Sequence, residues 1–376
     1  MRKISNLIFL MIALVWSVSI DDLLKEGIAL RDAGRYDEAI YKFQQILKSK
    51  SRHPQTNFEL GKTYLEKNDC DNAIIFLKNA LDFGFDKFQG HFTLGQAYEA
   101  CGNNVEAQLE YSEVVRLKPN DPECLCCQAR VSQQSIISES LYQQALKINS
   151  KYIPAIVGLA NLYANNKQYD KALSYYQMAK TTKPDYSPTY FSTGNFYLQQ
   201  KMYQKSVDEY TKYIQLEPRH PKGYIARAEV YVKMKNYIDA INDIQQAINL
   251  GDSSLGTLKF LGFLLSQTKR LKEYKEILGQ IVLKDPYDIQ SWLELAKIGL
   301  IVDTTKAGWA VTANAYNKVV SIETLYIREV ASDLGKAYYS LVKYDSAVYW
   351  FSKAIAYDTL KVANYINLAL AFIQLK

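Results

Sequence analysis

The chain has 376 residues, 48% of them apolar, 22% charged and 13% aromatic, with a formal net charge of +6. This is the composition of a folded protein and is too apolar for a disordered chain. The charge surplus is small for the length. The nearest approach to a basic block, KRLKEYK from Lys269 to Lys275, contains a Glu and reads as a solvated helix face, so nucleic acid is not an expected partner.

The first twenty residues differ from the rest. MRKISNLIFLMIALVWSVSI carries two early positive charges, an apolar run from about Leu7 to Trp16, and then Ser17-Val18-Ser19. Small residues at the first and third of those positions suit signal peptidase, so residues 1–19 are expected to be an export leader cleaved before Ile20, with an uncleaved N-terminal anchor as the alternative. The apolar run is short of the ~20 residues a membrane-spanning helix needs. Losing Arg2 and Lys3 with the leader leaves a net charge of +4. The expected location is the periplasm, the cell envelope or the exterior, and any membrane contact is expected only through an uncleaved leader.

Beyond the leader the chain repeats itself. Gly27, Gly61 and Gly95 sit 34 residues apart in similar surroundings, and the same slot continues at Ala129, Ala160, Gly194, Ala228, Gly262, Ala296, Gly335 and Ala369. Within a repeat, positions 4, 7, 8 and 11 form one helical stripe, as His91, Leu94, Gly95 and Tyr98 do. A second stripe follows at Ala107, Tyr111 and Val114. Between the two lies a turn such as ACGNN, where Gly and Asn supply the helix-ending backbone. Pro119 then closes the repeat, because it cannot continue a helix. Each repeat therefore reads as two antiparallel amphipathic helices.

Small residues at position 8 and alanine at position 20 (Ala39, Ala73, Ala107, Ala172, Ala240, Ala347) let the two helices approach. A large residue at position 24 (Phe43, Tyr111, Tyr176, Tyr210, Phe351) fills the space between them. In GNFYLQQKMYQKSVDEYTKYIQLEP, Gly194 and Ser206 are the close-contact positions, Tyr197 and Tyr210 the wedges, and Pro218 the stop.

This pattern resembles the tetratricopeptide repeat, over nearly the whole of residues 20–376. The resemblance implies an all-α fold, a right-handed superhelical solenoid of antiparallel helix pairs. The expected organisation is repeats 1–4 over residues 20–152, regular repeats 5–8 over 153–288, and repeats 9–10 plus the first helix of an eleventh over 289–376. The fourth repeat lacks its Gly/Asn turn and is three residues short. The ninth is longer and places Gly308-Trp309 where a helix should start. Each hairpin leaves a face that only its neighbour covers. The final helix, residues 362–376, spreads Leu368, Leu370, Phe372 and Ile373 over more than one face, so a partner or further chain is expected to cover it.

Chemistry is sparse. His53 and His220 precede prolines in inter-repeat loops and His91 sits in a core stripe, so no catalytic residue is expected. Acid pairs such as Asp37-Glu38 and Asp208-Glu209 read as helix-start carboxylates. The five cysteines fit no tidy framework, and CLCC (Cys124 to Cys127) lacks the partners of a metal site. No metal or cofactor is expected, and buried thiols are. Because the second helix of one repeat runs antiparallel to the first of the next, Cys70 and Cys101 should be neighbours, a candidate disulfide in an oxidising compartment.

The resemblance implies that the first helix of each pair lines a concave groove through positions 2, 5, 9 and 12. Position 5 holds Phe58, Phe92, Val157, Phe191 and Ile225, and position 9 holds Lys62, Gln96, Asn161, Asn195 and Glu229. An apolar row beside a mainly amide row suits an extended peptide. The carboxylate clamp of chaperone-binding relatives is not carried over. Asn161 and Lys222 fit it, but Val157, Ser192 and Ala226 replace its other members. The expected role is a non-catalytic protein-interaction scaffold or adaptor binding a peptide or protein segment. The alternatives are an extracytoplasmic sensory or regulatory region of a larger signalling protein, and an accessory subunit of an envelope enzyme or secretion complex.

Overall fold

Alternating apolar stripes and turn residues fold into helix after helix. Residues 19–376 are described in this computed structural model, and among them are 21 α-helices, one 3-10 helix (Thr324–Tyr326) and no strand. The chain divides into two compact units, Met1–Thr189 and Tyr190–Lys376. The expected leader falls outside the described residues except for Ser19, which caps the first helix by accepting the Asp22 N–H at 3.0 Å. Among the described residues no helix is long and apolar enough to cross a membrane.

The first unit pairs α1 (Ile20–Asp32) with α2 (Tyr36–Ser49), α3 (Pro54–Glu66) with α4 (Cys70–Asp82), and α5 (Lys87–Ala100) with α6 (Asn104–Leu117). It continues with α7 (Pro122–Val131) and α8 (Ser135–Ile148), then α9 (Ile153–Asn165) and α10 (Tyr169–Thr182). Helix α11 (Ser187–Gln199) begins just before the division and pairs with α12 (Tyr203–Leu216). The second unit adds α13 (Pro221–Lys233) with α14 (Tyr237–Asn249), α15 (Leu255–Gln267) with α16 (Leu271–Lys284), α17 (Ile289–Val302) with α18 (Lys306–Ile322), and α19 (Ile327–Ser340) with α20 (Tyr344–Tyr357). Helix α21 (Val362–Gln374) ends it. The fold is an all-helical repeat solenoid. Within each unit, first helices such as α5 and α15 pack both on their own second helix and on the second helix of the repeat before.

The positions read as packing carry the packing. Ala39, Ala73, Ala107, Ala172, Ala240 and Ala347 have no exposed surface, and Phe43, Tyr111, Tyr176, Tyr210 and Phe351 are buried as well. A Cβ added at Gly95 would stand 2.7 Å from the Tyr111 ring, so only a glycine backbone lets that ring lie flat on the helix. Each such ring contributes on the order of 1.5–3 kcal/mol by leaving water. Ser206, fully buried, donates from its hydroxyl to the Gly194 carbonyl at 2.8 Å, tying α12 to α11 at their closest approach.

The irregular repeats show how the pattern bends. Helix α7 is only 10 residues long, and its Cys124, Cys126 and Cys127 are buried. Burial pushes the Cys124 and Cys126 thiols up to about 12 and raises Cys127 as well. Helix α18 absorbs the extra residues of the ninth repeat as a 17-residue helix. It starts at Lys306, with Thr305 accepting the Gly308 N–H at 3.2 Å.

Two local expectations are corrected. Asp37 and Glu38 do sit in the first turn of α2, but α12 starts at Tyr203, so Asp208 and Glu209 lie in its second turn, where Gln204 donates to Asp208 at 3.1 Å. The intra-repeat turns rely on Gly and Asn less than expected: Lys167, Lys201, Lys235, Lys269 and Val342 also take left-handed backbone, at φ between 56° and 62°. At the far end, α21 buries Asn364 and Ala371 but leaves Tyr365, Ile366, Phe372 and Ile373 between 46% and 62% exposed.

Candidate peptide-binding groove

In the first unit the groove-side positions fall on α3, α5 and α9. Phe58 is less open than its position implies: only 6% of it is exposed, because Phe85, from the loop before α5, stacks on it with ring centroids 4.1 Å apart. Lys62 extends over the same ring, its Nζ 5.6 Å from the centroid. Phe92 is half-buried between Phe88 and Tyr111, and Gln96 beside it is exposed. Val157 is 7% exposed and belongs to the core. Of the first-unit position-5 residues, Phe92 alone keeps a half-open face; Phe58 and Val157 serve as packing.

Cys70 opens α4 and Cys101 caps the end of α5. Their Cα atoms are 5.9 Å apart and their sulfurs are in bonding contact, across the junction between the second and third repeats.

Asn161, on α9, is half-buried, and its Oδ1 accepts a hydrogen bond from the Tyr176 hydroxyl at 2.6 Å. Tyr176 is the position-24 wedge of the same hairpin. Desolvation pushes its hydroxyl well above the ordinary tyrosine range, so it stays protonated and donates. With Oδ1 occupied, the amide NH2 of Asn161 is the end left for a ligand.

The second unit repeats this arrangement on its own helices. The Tyr210 hydroxyl, likewise raised by desolvation, donates to Asn195 Oδ1 at 2.5 Å, and Asn195 is exposed on α11. One turn away Phe191 packs against Tyr210 and Tyr213, with centroid distances of 5.4 and 5.2 Å. Lys222, on α13, places its ammonium 4.3 Å from the Phe191 centroid. Ile225 is half-buried, and Glu229 is exposed with its carboxyl raised by desolvation, an effect Lys233 opposes. Phe191, Asn195 and Lys222 thus stand together as an aromatic face, an oriented amide and a cation. Ile225 and Glu229 lie further along α13.

Reading the tyrosines as wedges missed their second task. The signal is present in the sequence: Asn161 and Tyr176, like Asn195 and Tyr210, are 15 residues apart, which is the position-9 to position-24 spacing. Tyr111 departs from it and donates to Glu99 at 2.9 Å, at position 12. Among the described residues, no group of three or more His, Cys, Asp or Glu side chains is placed to hold a metal ion.

Fold and site together define a helical-hairpin repeat protein with one face of its first helices lined by paired amides and aromatics. One tetratricopeptide repeat family model matches residues 24–88 and another matches residues 155–187. Among solved structures, the chain is similar to a tetratricopeptide repeat protein from Parabacteroides merdae. The two are 16% identical with a TM-score of 0.53, over 65% of this chain and 98% of that one. It is also similar to YrrB, described as a TPR protein with an unusual peptide-binding site, at 18% identity and TM-score 0.40, over 49% of this chain and 92% of that one. A third likeness is to pilF of Pseudomonas aeruginosa, at 18% identity and TM-score 0.41, over 57% and 97% of the two chains. No curated protein matches. Tetratricopeptide repeats are thus matched at residues 24–88 and 155–187, within a chain whose fold is that of an all-helical repeat protein.

Proposed function

We propose that this protein is a non-catalytic scaffold that binds an extended peptide segment along the first helices of its repeats. The observation that carries the reading is the tyrosine–asparagine pair, made twice. Tyr176 holds Asn161 and Tyr210 holds Asn195, each by the amide oxygen, so that the NH2 is offered to a peptide carbonyl. A main-chain carbonyl is present in every peptide, so such donors give affinity whatever the sequence, and the adjacent Phe191 face and Lys222 ammonium add grip for a side chain. A location in the periplasm, at the cell envelope or outside the cell belongs to the same proposal. It is supported by the leader-like first nineteen residues and by the approach of Cys70 to Cys101, which an oxidising compartment would lock.

The test is affinity capture from the native envelope with the wild-type chain and with Phe191→Ala/Asn195→Ala. Loss of the captured species in the double variant is expected. Equal capture by both proteins would move binding away from this groove.

A further inference from the structure

At the far end of the second unit, α18, α19, α20 and α21 line a half-open cavity of about 260 Å3 that the regular repeats do not predict. Trp309, Tyr339, Phe351 and Leu370 form its apolar wall, and Lys336 and Asn367 stand among them. Trp309 comes from the enlarged ninth repeat, so the irregularity of that repeat supplies part of the wall. Phe351 is 1% exposed and pressed against Gly335, where an added Cβ would lie 2.6 Å from its ring, so the floor is rigid. Leu370, by contrast, is 43% exposed at the mouth.

On α21, Leu370 is at position 9 and Asn367 at position 6, on the opposite side of the helix from the stripe at positions 4, 7, 8 and 11. In other repeats that stripe faces the second helix of its own hairpin, as Gly95 faces Tyr111 and Gly194 faces Tyr210, so the cavity mouth lies on the opposite side, where the proposed ligand would lie.

We propose that this cavity is a side-chain pocket for an aromatic residue of a bound peptide, with a carboxylate one or two residues away seated on Lys336. An apolar protein cavity of about 150 Å3 suffices for benzene, so 260 Å3 holds one aromatic ring with room for its attachment to a backbone. Lys336 is the one charged side chain on the wall. Its partner, Asp333, is three residues away at 2.9 Å; Lys336 is exposed and Asp333 half-buried, so the pair is still open to water and yields to a ligand carboxylate. The Asn367 amide is placed for the peptide backbone. The pocket deepens the peptide-binding role proposed above and rests on it: it supplies sequence preference, where the Asn161 and Asn195 amides supply none.

The full chain, probed on an array of immobilised hexapeptides that varies two adjacent positions, tests this. Wild type is expected to favour an aromatic residue next to Asp or Glu. Leu370→Lys, which fills the mouth with charge from an exposed position, is expected to lower that preference by at least about tenfold with helix content unchanged. Lys336→Met is expected to lose the acidic preference alone. Phe191→Ala/Asn195→Ala should weaken all peptides and leave the preference intact. The same preference in wild type and Leu370→Lys overturns the pocket without touching the groove. Retention of no peptide by any of these proteins overturns both.

Discussion

Replacing a glycine by alanine inside a helix should have opposite consequences at two places in the second unit. In both, the backbone gains helix propensity, worth about 1 kcal/mol. At Gly279, on α16, an added Cβ meets nothing within 4 Å, so Gly279→Ala is expected to keep that gain whole. At Gly194, on α11, the new Cβ would lie 2.6, 2.8 and 3.0 Å from three carbons of the Tyr210 ring. The ring is 1% exposed and its hydroxyl is tied to Asn195, so it cannot swing clear. Overpacking of this kind costs roughly 1–3 kcal/mol, which leaves Gly194→Ala between about neutral and 2 kcal/mol destabilising. The two substitutions should therefore differ by roughly 1–3 kcal/mol, with the sign set by packing alone. Repeat arrays need not unfold all at once, so the measurement is native-state amide hydrogen exchange, which reads local opening free energies in α11 and α16 separately. Equal stabilisation of both helices would refute the close Gly194–Tyr210 contact, and with it the hairpin geometry that aims Asn195.

Val342 holds a left-handed turn at φ 62° while 53% exposed, so Val342→Gly removes strain and loses little burial; a stabilisation of about 1 kcal/mol is expected, read as a higher thermal midpoint. In denaturant without reductant, thiol titration should find three reactive cysteines of the five, Cys70 and Cys101 being joined. In the native protein Cys124, Cys126 and Cys127 should react slowly, because burial holds their thiols protonated. Reduction of a bridge closing 31 residues should cost the first unit about 3–4 kcal/mol, visible as a lower urea midpoint that Cys70→Ala reproduces.

The repeat was legible because its packing is local and periodic. Position 8 must be small where position 24 is large, as at Gly95 and Tyr111 or Gly194 and Tyr210, and both lie in one hairpin. What escaped the pattern came from outside it. Phe58 is closed off by Phe85, a loop residue with no fixed place in the repeat. The four left-handed lysines were hidden because exposed turns accept the strain, and lysine carries no turn signature of its own. Asp208 resembles a helix-start acid in sequence, but α12 begins at Tyr203 and its first turn has no acidic residue. The groove was half legible. The amide positions were named from register, but that a tyrosine hydroxyl fixes which end of each amide faces out needs coordinates.

The central claim, that first helices and not second helices meet the ligand, is tested most directly by hydrogen exchange of the full chain with and without a peptide that it retains. Added protection is predicted along residues 187–199 and 221–233, the helices carrying Phe191, Asn195 and Lys222, with α12 and α14 unchanged. Protection confined to α12 and α14, or none at saturating peptide, would contradict it.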